Sequence, residues 1–321
     1  MKARLFVVNE QTFKKTMENM EVFVFVPEPK SNRWNQVLLD IVCDLMQISI
    51  GDYIFLWESG AKNIYGVFRA VSKPFYKKTG ANDIFRIKIA EAYSFDKPIN
   101  EYDVINNPYM KNHLWNIIGK KVAGKSRATS PITGDEMEFL IQSLIAVNNN
   151  CFKYEPNYQV VDVENELAFD FTRQYDGHIP RQIAEYKFSP ISVLDGVAVK
   201  YEKSLEGILN CCFRDKNKKT ISQLSINIDN VNWYANYLPY GLEGSEIDYM
   251  VMESVDGINT SRIDVIELMS GIIDVDHINR CLQYSKWVSS SLTNDNNIVR
   301  PILICGPKSI TAKKGGLAMI R

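Results

Sequence analysis

The first half of the chain is patterned as short apolar runs of strand length, separated by turn residues. Residues 3–8 (ARLFVV) and 22–26 (VFVFV) are rich in β-branched and aromatic residues, which suit a pleated surface. The second run stops at Pro27, and the Pro-Glu-Pro-Lys-Ser-Asn that follows is loop chemistry. Residues 51–57 (GDYIFLW) and 64–71 (IYGVFRAV) predict two more strands on either side of a Glu-Ser-Gly break. Residues 85–90 (FRIKIA) alternate apolar and basic positions, the period of a half-exposed strand. A helix is then predicted from Ser130, with Pro131 at its start, Asp135 and Glu136 early, and Phe139, Leu140 and Leu144 on one face. It ends in three asparagines at 148–150, a natural domain edge.

Residues 151–200 carry loop signals such as Tyr-Glu-Pro-Asn at 154–157 and read as a connector. Beyond them the period changes. Leu205, Ile208, Leu209 and Cys212 fall at i, i+3, i+4 and i+7 and predict an amphipathic helix. Two strands follow, 247–252 and 263–269, with Asp256-Gly257 in the hairpin-like connection between them. Ile278, Cys281, Leu282 and Ser285 predict a second helix with Asp274 or Asp276 as N-cap, and 299–305 is a last short strand. The order helix, strand, strand, helix, strand predicts a mixed α/β layer. The chain therefore divides into 1–150, a connector at 151–200, and 201–321.

Composition narrows the classes. With 321 residues, 45% of them hydrophobic and 23% charged, this is a packed chain of about two domains rather than a disordered or fibrous one. Lys and Arg number 37 against 38 Asp and Glu, so the net charge of −1 excludes a surface that is basic throughout but leaves room for local basic patches. Six cysteines without a C-x-x-C spacing, and only three histidines, argue against a Cys/His zinc site. No apolar run reaches the length of a spanning helix, and the N-terminus lacks a signal-peptide pattern. A reduced, cytoplasmic, soluble protein whose cysteines fill its cores is the expectation.

Two acids stand out. Asp248 lies near the start of one apolar strand, and Glu267 sits between Ile and Leu in the next. A carboxylate on an apolar strand needs a partner, either a nearby Lys or Arg or a divalent ion. Mg²⁺ takes oxygen ligands and commonly only a few carboxylates, so neighbouring strands can present two acids to one ion.

The stretch 201–315 resembles the PD-(D/E)XK nuclease superfamily, in particular its NucS-type branch. The resemblance is carried by Tyr201-Glu-Lys-Ser-Leu-Glu206, Ser245-Glu-Ile-Asp248, Asp264-Val-Ile-Glu267, Asn279-Arg-Cys-Leu-Gln-Tyr284 and Val299-Arg-Pro-Ile-Leu-Ile-Cys305. It implies a restriction-endonuclease-like α/β domain that uses Mg²⁺ or Mn²⁺. Asp248 and Glu267 would be metal ligands, with Glu206, or Glu202 one turn earlier, as the helix acid. The family places a lysine two residues after the second acid, where i and i+2 share a face. Here that position is Met269. Three explanations stand open: the cationic role has moved, to Lys286 or Arg280; the site has become a binding surface; or a lysine has been replaced by methionine on purpose.

Residues 1–147 resemble an EVE domain, a relative of the PUA and YTH folds, through 5–8 (LFVV), 50–57 (IGDYIFLW), 64–68 (IYGVF), 85–89 (FRIKI), 118–121 (IGKK) and 126–131 (SRATSP). The resemblance implies a β-barrel-type domain with helices that holds a modified or flipped base in an aromatic pocket. Such a base is stacked between flat side chains and read at its edge. Trp34 in its polar loop, Trp57 at a strand end and the adjacent Ser59 are the candidate base-binding residues, with a core role the alternative for Trp57. Trp115, Tyr65 and Phe68 are assigned to the core. Lys120, Lys121, Lys125 and Arg127, in a segment without acids, are candidate phosphate contacts or simply a solvated face.

Together the two halves read as a DNA endonuclease of restriction or host-defence type. The alternative is a nucleic-acid-binding protein with an inactive nuclease fold, and a further one has the first domain reading RNA, as YTH relatives do. DNA, with or without modified bases, is the expected partner, no membrane is expected, and a homodimer is the expected assembly for cutting both strands.

Overall fold

The computed structural model describes residues 2–25, 34–79, 82–108, 129–167, 202–240, 245–257, 259–269, 275–293, 295–305 and 318–320. It divides into two units, Met1–Glu28 with Ile48–Leu167, and Pro29–Gln47 with Ala168–Arg321. Both are mixtures of helices and sheet, so the protein is a mixed α+β chain.

The N-terminal unit opens with β1 (Ala3–Val8), α1 (Glu10–Asn19) and β2 (Glu21–Phe25). The chain then supplies helix α2 (Trp34–Met46) to the other unit before returning as β3 (Tyr53–Glu58), β4 (Asn63–Ala70), β5 (Phe75–Thr79) and β6 (Asn82–Glu91). Short strands β7 (Tyr93–Ser94) and β8 (Ile99–Asn100), helix α3 (Glu101–Asn106), strand β9 (Thr129–Ile132), helix α4 (Gly134–Val147) and strand β10 (Lys153–Tyr154) complete it. The main sheet runs β2-β6-β4-β3-β1-β9, with β5 added to β6 and β8 to β4; β7 and β10 form a separate pair. Strand β1 is parallel to β3 and antiparallel to β9. All six residues of β3 are buried, which explains its unbroken apolar run in the middle of the sheet. Leu5, Phe55, Val67, Leu140 and Leu144 form the centre of this core.

The Gly-Asp step before β3 is a structural staple. Gly51 has φ +92, a backbone state that favours glycine, and its N–H donates to the Ala70 carbonyl at 2.8 Å. The Asp52 carboxylate accepts from the Ser49 N–H at 2.9 Å and lies 3.6 Å from Lys2 Nζ, which ties the start of β1 to the start of β3.

The expected helix start at Ser130 is corrected here. Ser130 and Pro131 lie in β9, paired with Leu5 and Arg4, and the helix starts at Gly134. Thr133 and Glu136 form a capping box, which satisfies two backbone donors and sets the boundary.

The C-terminal unit contains α2, α5 (Glu202–Arg214), α6 (Lys218–Ser222), β11 (Val231–Tyr240), β12 (Ser245–Glu253), β13 (Arg262–Met269), α7 (Val275–Val288), β14 (Val299–Cys305) and β15 (Ala318–Ile320). The sheet order is β11-β12-β13-β14-β15. All neighbours are antiparallel except β13 and β14, which α7 joins by a parallel crossover. Strand β11 is an addition to the expected order; its sequence, VNWYANYLPY, mixes polar and aromatic residues and lacks a clean period. Helix α7 buries Cys281, Tyr284, Ser285 and Val288 against β13 and β14. Ile278 and Leu282, expected on that face, are 37% and 51% exposed, because the face that meets the sheet lies further round the helix.

Cys43, Cys211, Cys212 and Cys281 are buried free thiols and Cys151 is an exposed one. Burial pushes Cys211, Cys212 and Cys281 up to about 12, so these thiols stay protonated and act as core residues. Among the described residues, no helix is long and apolar enough to cross a membrane.

Candidate functional site

Asp248 and Glu267 meet through strand register. Tyr249 of β12 pairs with Ile266 of β13, so one step further Asp248 stands opposite Glu267 and their side chains share a face. Asp248 Oδ2 accepts from the Leu268 backbone N–H at 2.8 Å. Glu267 is 1% exposed and pairs through Oε1 with Arg280 of α7, while Oε2 is buried and has no hydrogen-bond partner.

Helix α5 brings Glu202 and Glu206, one turn apart, to the same place. Glu206 Oε1 accepts from Lys203 Nζ, and Oε2 accepts from Asn236 Nδ2 of β11 at 2.6 Å. Lys203 also lies 3.7 Å from Asp40 and 4.4 Å from the Tyr237 ring centre.

The electrostatics show that these acids form one cluster. Burial holds the Asp248 carboxyl well above the usual carboxylate range, and the charges of Glu267, Glu206 and Glu202 act the same way. Glu202 is raised by burial and by Glu206. Glu267 is raised by burial, with Arg280 opposing. Four carboxylates thus share a space with two permanent cations, Lys203 and Arg280. Asp264, three residues before Glu267 and so on the other face of β13, behaves differently. Its carboxylate accepts from Arg300 Nε at 2.7 Å and lies 3.5 Å from Arg262 Nε. It is the structural acid of the Asp-Val-Ile-Glu stretch.

Asp248, Glu267, Glu206 and Glu202 are therefore brought together. Met269 ends β13 opposite Cys305, partly buried, on the same face as Glu267. Arg280 reaches Glu267, whereas Lys286 is exposed and sits about 120° round α7 from Arg280. Among the described residues, no group of three or more His, Cys, Asp or Glu is disposed to hold one ion as placed. Lys203 and Asn236 occupy both oxygens of Glu206.

Lys203, Asn236 and Gln47 escape a reading by local pattern. Glu206 and Asn210 at i and i+4 were a legible pair on one helix face, but nothing near Gln47 in sequence points to them.

The candidates in the N-terminal half are scattered by the structure. Trp34 begins α2 in the C-terminal unit rather than lying in a loop, because Val37, Leu38, Ile41, Val42 and Leu45 continue a helical apolar stripe; its side chain lies outside the described residues. Trp57 is a buried wall of the sheet core, with an indole N–H that has no partner. Ser59 is exposed in the turn after β3, its N–H donating to the Val8 carbonyl at 2.8 Å. Phe68 is buried, and Tyr65 is half-buried against Phe13 with ring centres 4.3 Å apart. Trp115, Lys120, Lys121, Lys125 and Arg127 lie outside the described residues.

No protein-family model matches the chain, and a search of curated proteins finds no match. Among solved structures, the Rhodopseudomonas palustris protein Rpa0253 is similar at a TM-score of 0.33 and 12% identity, over 46% of this chain and 95% of that one. Human THYN1, solved in complex with 5-methylcytosine-containing DNA, is similar at a TM-score of 0.30 and 9% identity, over 44% and 97% of the two chains. The YTH domain of Zygosaccharomyces rouxii MRB1, solved with N6-methyladenosine RNA, is similar at a TM-score of 0.29 and 13% identity, over 44% and 86%.

Proposed function

We propose that this protein is a divalent-metal-dependent DNA endonuclease of restriction or host-defence type. Its C-terminal unit hydrolyses the phosphodiester, and its N-terminal unit holds the nucleic acid. The observation that carries this reading is the pair Asp248 and Glu267, opposed across two strands with a buried Glu267 oxygen that nothing answers. A buried carboxylate oxygen without a partner is costly in a structural role and is suited to a cation. Asp248 and Glu267 would hold one Mg²⁺ or Mn²⁺, with water or phosphate oxygens completing the shell. When bound, the ion supplies Lewis-acid stabilisation of the phosphodiester and lowers the pKa of water. Arg280 lies at the outer side of the pair, its side chain 45% exposed, where it can answer the charge that develops on a scissile phosphate. In this reading Arg280 takes the cationic role that Met269 cannot perform. Trp57 is taken up by the core, so of the base-binding candidates in the N-terminal unit the exposed Ser59 is the one its described residues leave accessible.

The test is cleavage of modified and unmodified duplexes in Mn²⁺ by the unaltered chain, by Met269→Lys and by Asp248→Asn. Cleavage that Asp248→Asn abolishes is expected. No cleavage of any substrate, by the unaltered chain or by Met269→Lys, would sink the reading.

The Arg280–Glu267 ion pair also favours a second reading, a nucleic-acid-binding protein whose acid site is closed by its own arginine. In that case Mn²⁺ binds weakly or not at all, and Arg280→Ala strengthens its binding without producing cleavage.

A further inference from the structure

A chain of side-chain amides runs from Gln47 to the acid site. Gln47 Nε2 donates to Asn236 Oδ1 at 2.5 Å and to Asn210 Oδ1 at 2.7 Å. Asn236 in turn donates to Glu206 Oε2 at 2.6 Å, and Asn210 Nδ2 donates to the Cys43 carbonyl at 2.8 Å. Glu206, Asn210 and Asn236 are fully buried and Gln47 nearly so.

The polarity of this chain matters. An amide has one acceptor oxygen and one donor nitrogen. Because Gln47 donates to the oxygen of Asn236, the nitrogen of Asn236 is left to face Glu206. Reversing Asn236 would set its oxygen against a carboxylate. Gln47 therefore holds Asn236 in the orientation that presents a donor to Glu206 and fixes that carboxylate in place. Buried amide networks of this kind fix geometry when every member is satisfied.

Gln47 comes from a distant part of the sequence. It closes the segment Pro29–Gln47, which is supplied from between β2 and β3 of the N-terminal unit, and Ile48 begins the return to that unit. Helix α2 packs on α5, and Cys43 Sγ lies 3.1 Å from the Lys203 carbonyl on the same helix as Glu206.

We infer that Gln47 is a positioning residue for the acid site, so that a residue from the N-terminal half of the sequence completes the C-terminal unit and sets its affinity for a divalent cation. The inference rests on the metal-dependent reading above. Partners one step behind metal ligands commonly change metal affinity by about tenfold to a hundredfold when removed, and Gln47, which acts through Asn236 and Glu206, stands further back and should fall at the low end of that range.

The experiment is Mn²⁺ binding to the full chain, measured by electron paramagnetic resonance or calorimetry, with melting temperature measured in parallel. Gln47→Met removes both donated hydrogen bonds at nearly constant volume. Gln47→Glu keeps the shape and replaces the donating amide, and serves if the first variant does not fold. Leu45→Ala is the control, because it weakens the same helix from a buried apolar position without touching the network. Affinity should fall about tenfold in the Gln47 variants and stay within about twofold in Leu45→Ala, even where Leu45→Ala melts lower. Equal affinity in the Gln47 variants and the unaltered chain, or a loss in Leu45→Ala that matches theirs, would overturn the positioning role and leave the nuclease reading standing. Absence of Mn²⁺ binding by the unaltered chain would remove both.

Discussion

Buried acids in the two units are treated in opposite ways. In the N-terminal unit each has partners that neutralise or solvate it. Glu21 pairs with Arg86 at 2.5 Å and Lys88 at 3.1 Å. Glu58 accepts from the N–H groups of Gly60 and Ala61 at 3.0 Å each. Glu136 accepts from the Thr133 N–H at 2.8 Å inside its capping box. In the C-terminal unit Asp264 follows the same rule with Arg300 and Arg262, but Glu202, Glu206, Asp248 and Glu267 crowd together with too few cations. Burial raises the Glu21 carboxyl, yet Arg86 and Lys88 outweigh it and leave the group below its ordinary value. Asp248 and Glu267 lie above theirs. An acid that folding stabilises as an anion is part of the scaffold. Asp264 is also raised by burial but is answered by two arginines, whereas Glu202, Asp248 and Glu267 are raised and crowd one another, and that crowding rather than the raised value alone marks out the cluster.

The largest effect should come from Asp248→Asn. It should abolish Mn²⁺-dependent cleavage and yet raise stability by about 1 kcal/mol, a rise of about 2–4 °C in melting temperature, because the neutral amide keeps the Leu268 hydrogen bond and relieves the repulsion. A lower melting temperature would show that Asp248 is a scaffold acid after all.

Glu21→Gln should move stability the other way, by about 3 kcal/mol, since it leaves Arg86 without its carboxylate in a largely buried position. Chemical denaturation of the two variants side by side would break the comparison if the signs agreed.

The pH dependence should also split. Asp264, beside Arg300, is pushed by burial to about 6 from an ordinary 3.8. Its contribution is full below the ordinary value and is lost as pH rises through about 6. Glu21, lowered, contributes above its ordinary 4.5 and loses that contribution as pH falls. Urea midpoints between about pH 3 and about pH 7 should therefore show a smaller acid-side fall in Glu21→Gln and a smaller fall toward neutral pH in Asp264→Asn, the remainder of the latter belonging to Glu202, Asp248 and Glu267.

The smallest effect is Thr133→Ala. It removes one half of the capping box and should cost about 1 kcal/mol, with cleavage and metal binding unchanged.

Much of the candidate site was legible in the local pattern. The acids at 248 and 267 lie on the strands that the sequence predicts, and the helix through Leu205, Ile208 and Leu209 forms where expected, although it is buried all round from Ser204 to Phe213 rather than on one face. Trp34 illustrates the opposite case: a polar pentapeptide looked like a loop because the apolar stripe that makes it a helix begins after it.

The sequence by itself determined the strands at 3–8 and 299–305, the positions of the helices around 205–212 and 278–285 but not the faces they bury, and the presence of acids on apolar strands, because hydrophobic period and turn chemistry act over a few residues. Tertiary structure alone decided that residues 129–132 extend a sheet through pairing with β1, that α2 serves the C-terminal unit, and that Arg280 rather than Lys286 meets Glu267. It also decided that Gln47 reaches across 189 positions to orient Asn236. The physical reason is range. Burial of a face is encoded in neighbouring residues, whereas the partner that answers a buried charge or amide is chosen by whichever element the completed fold sets beside it.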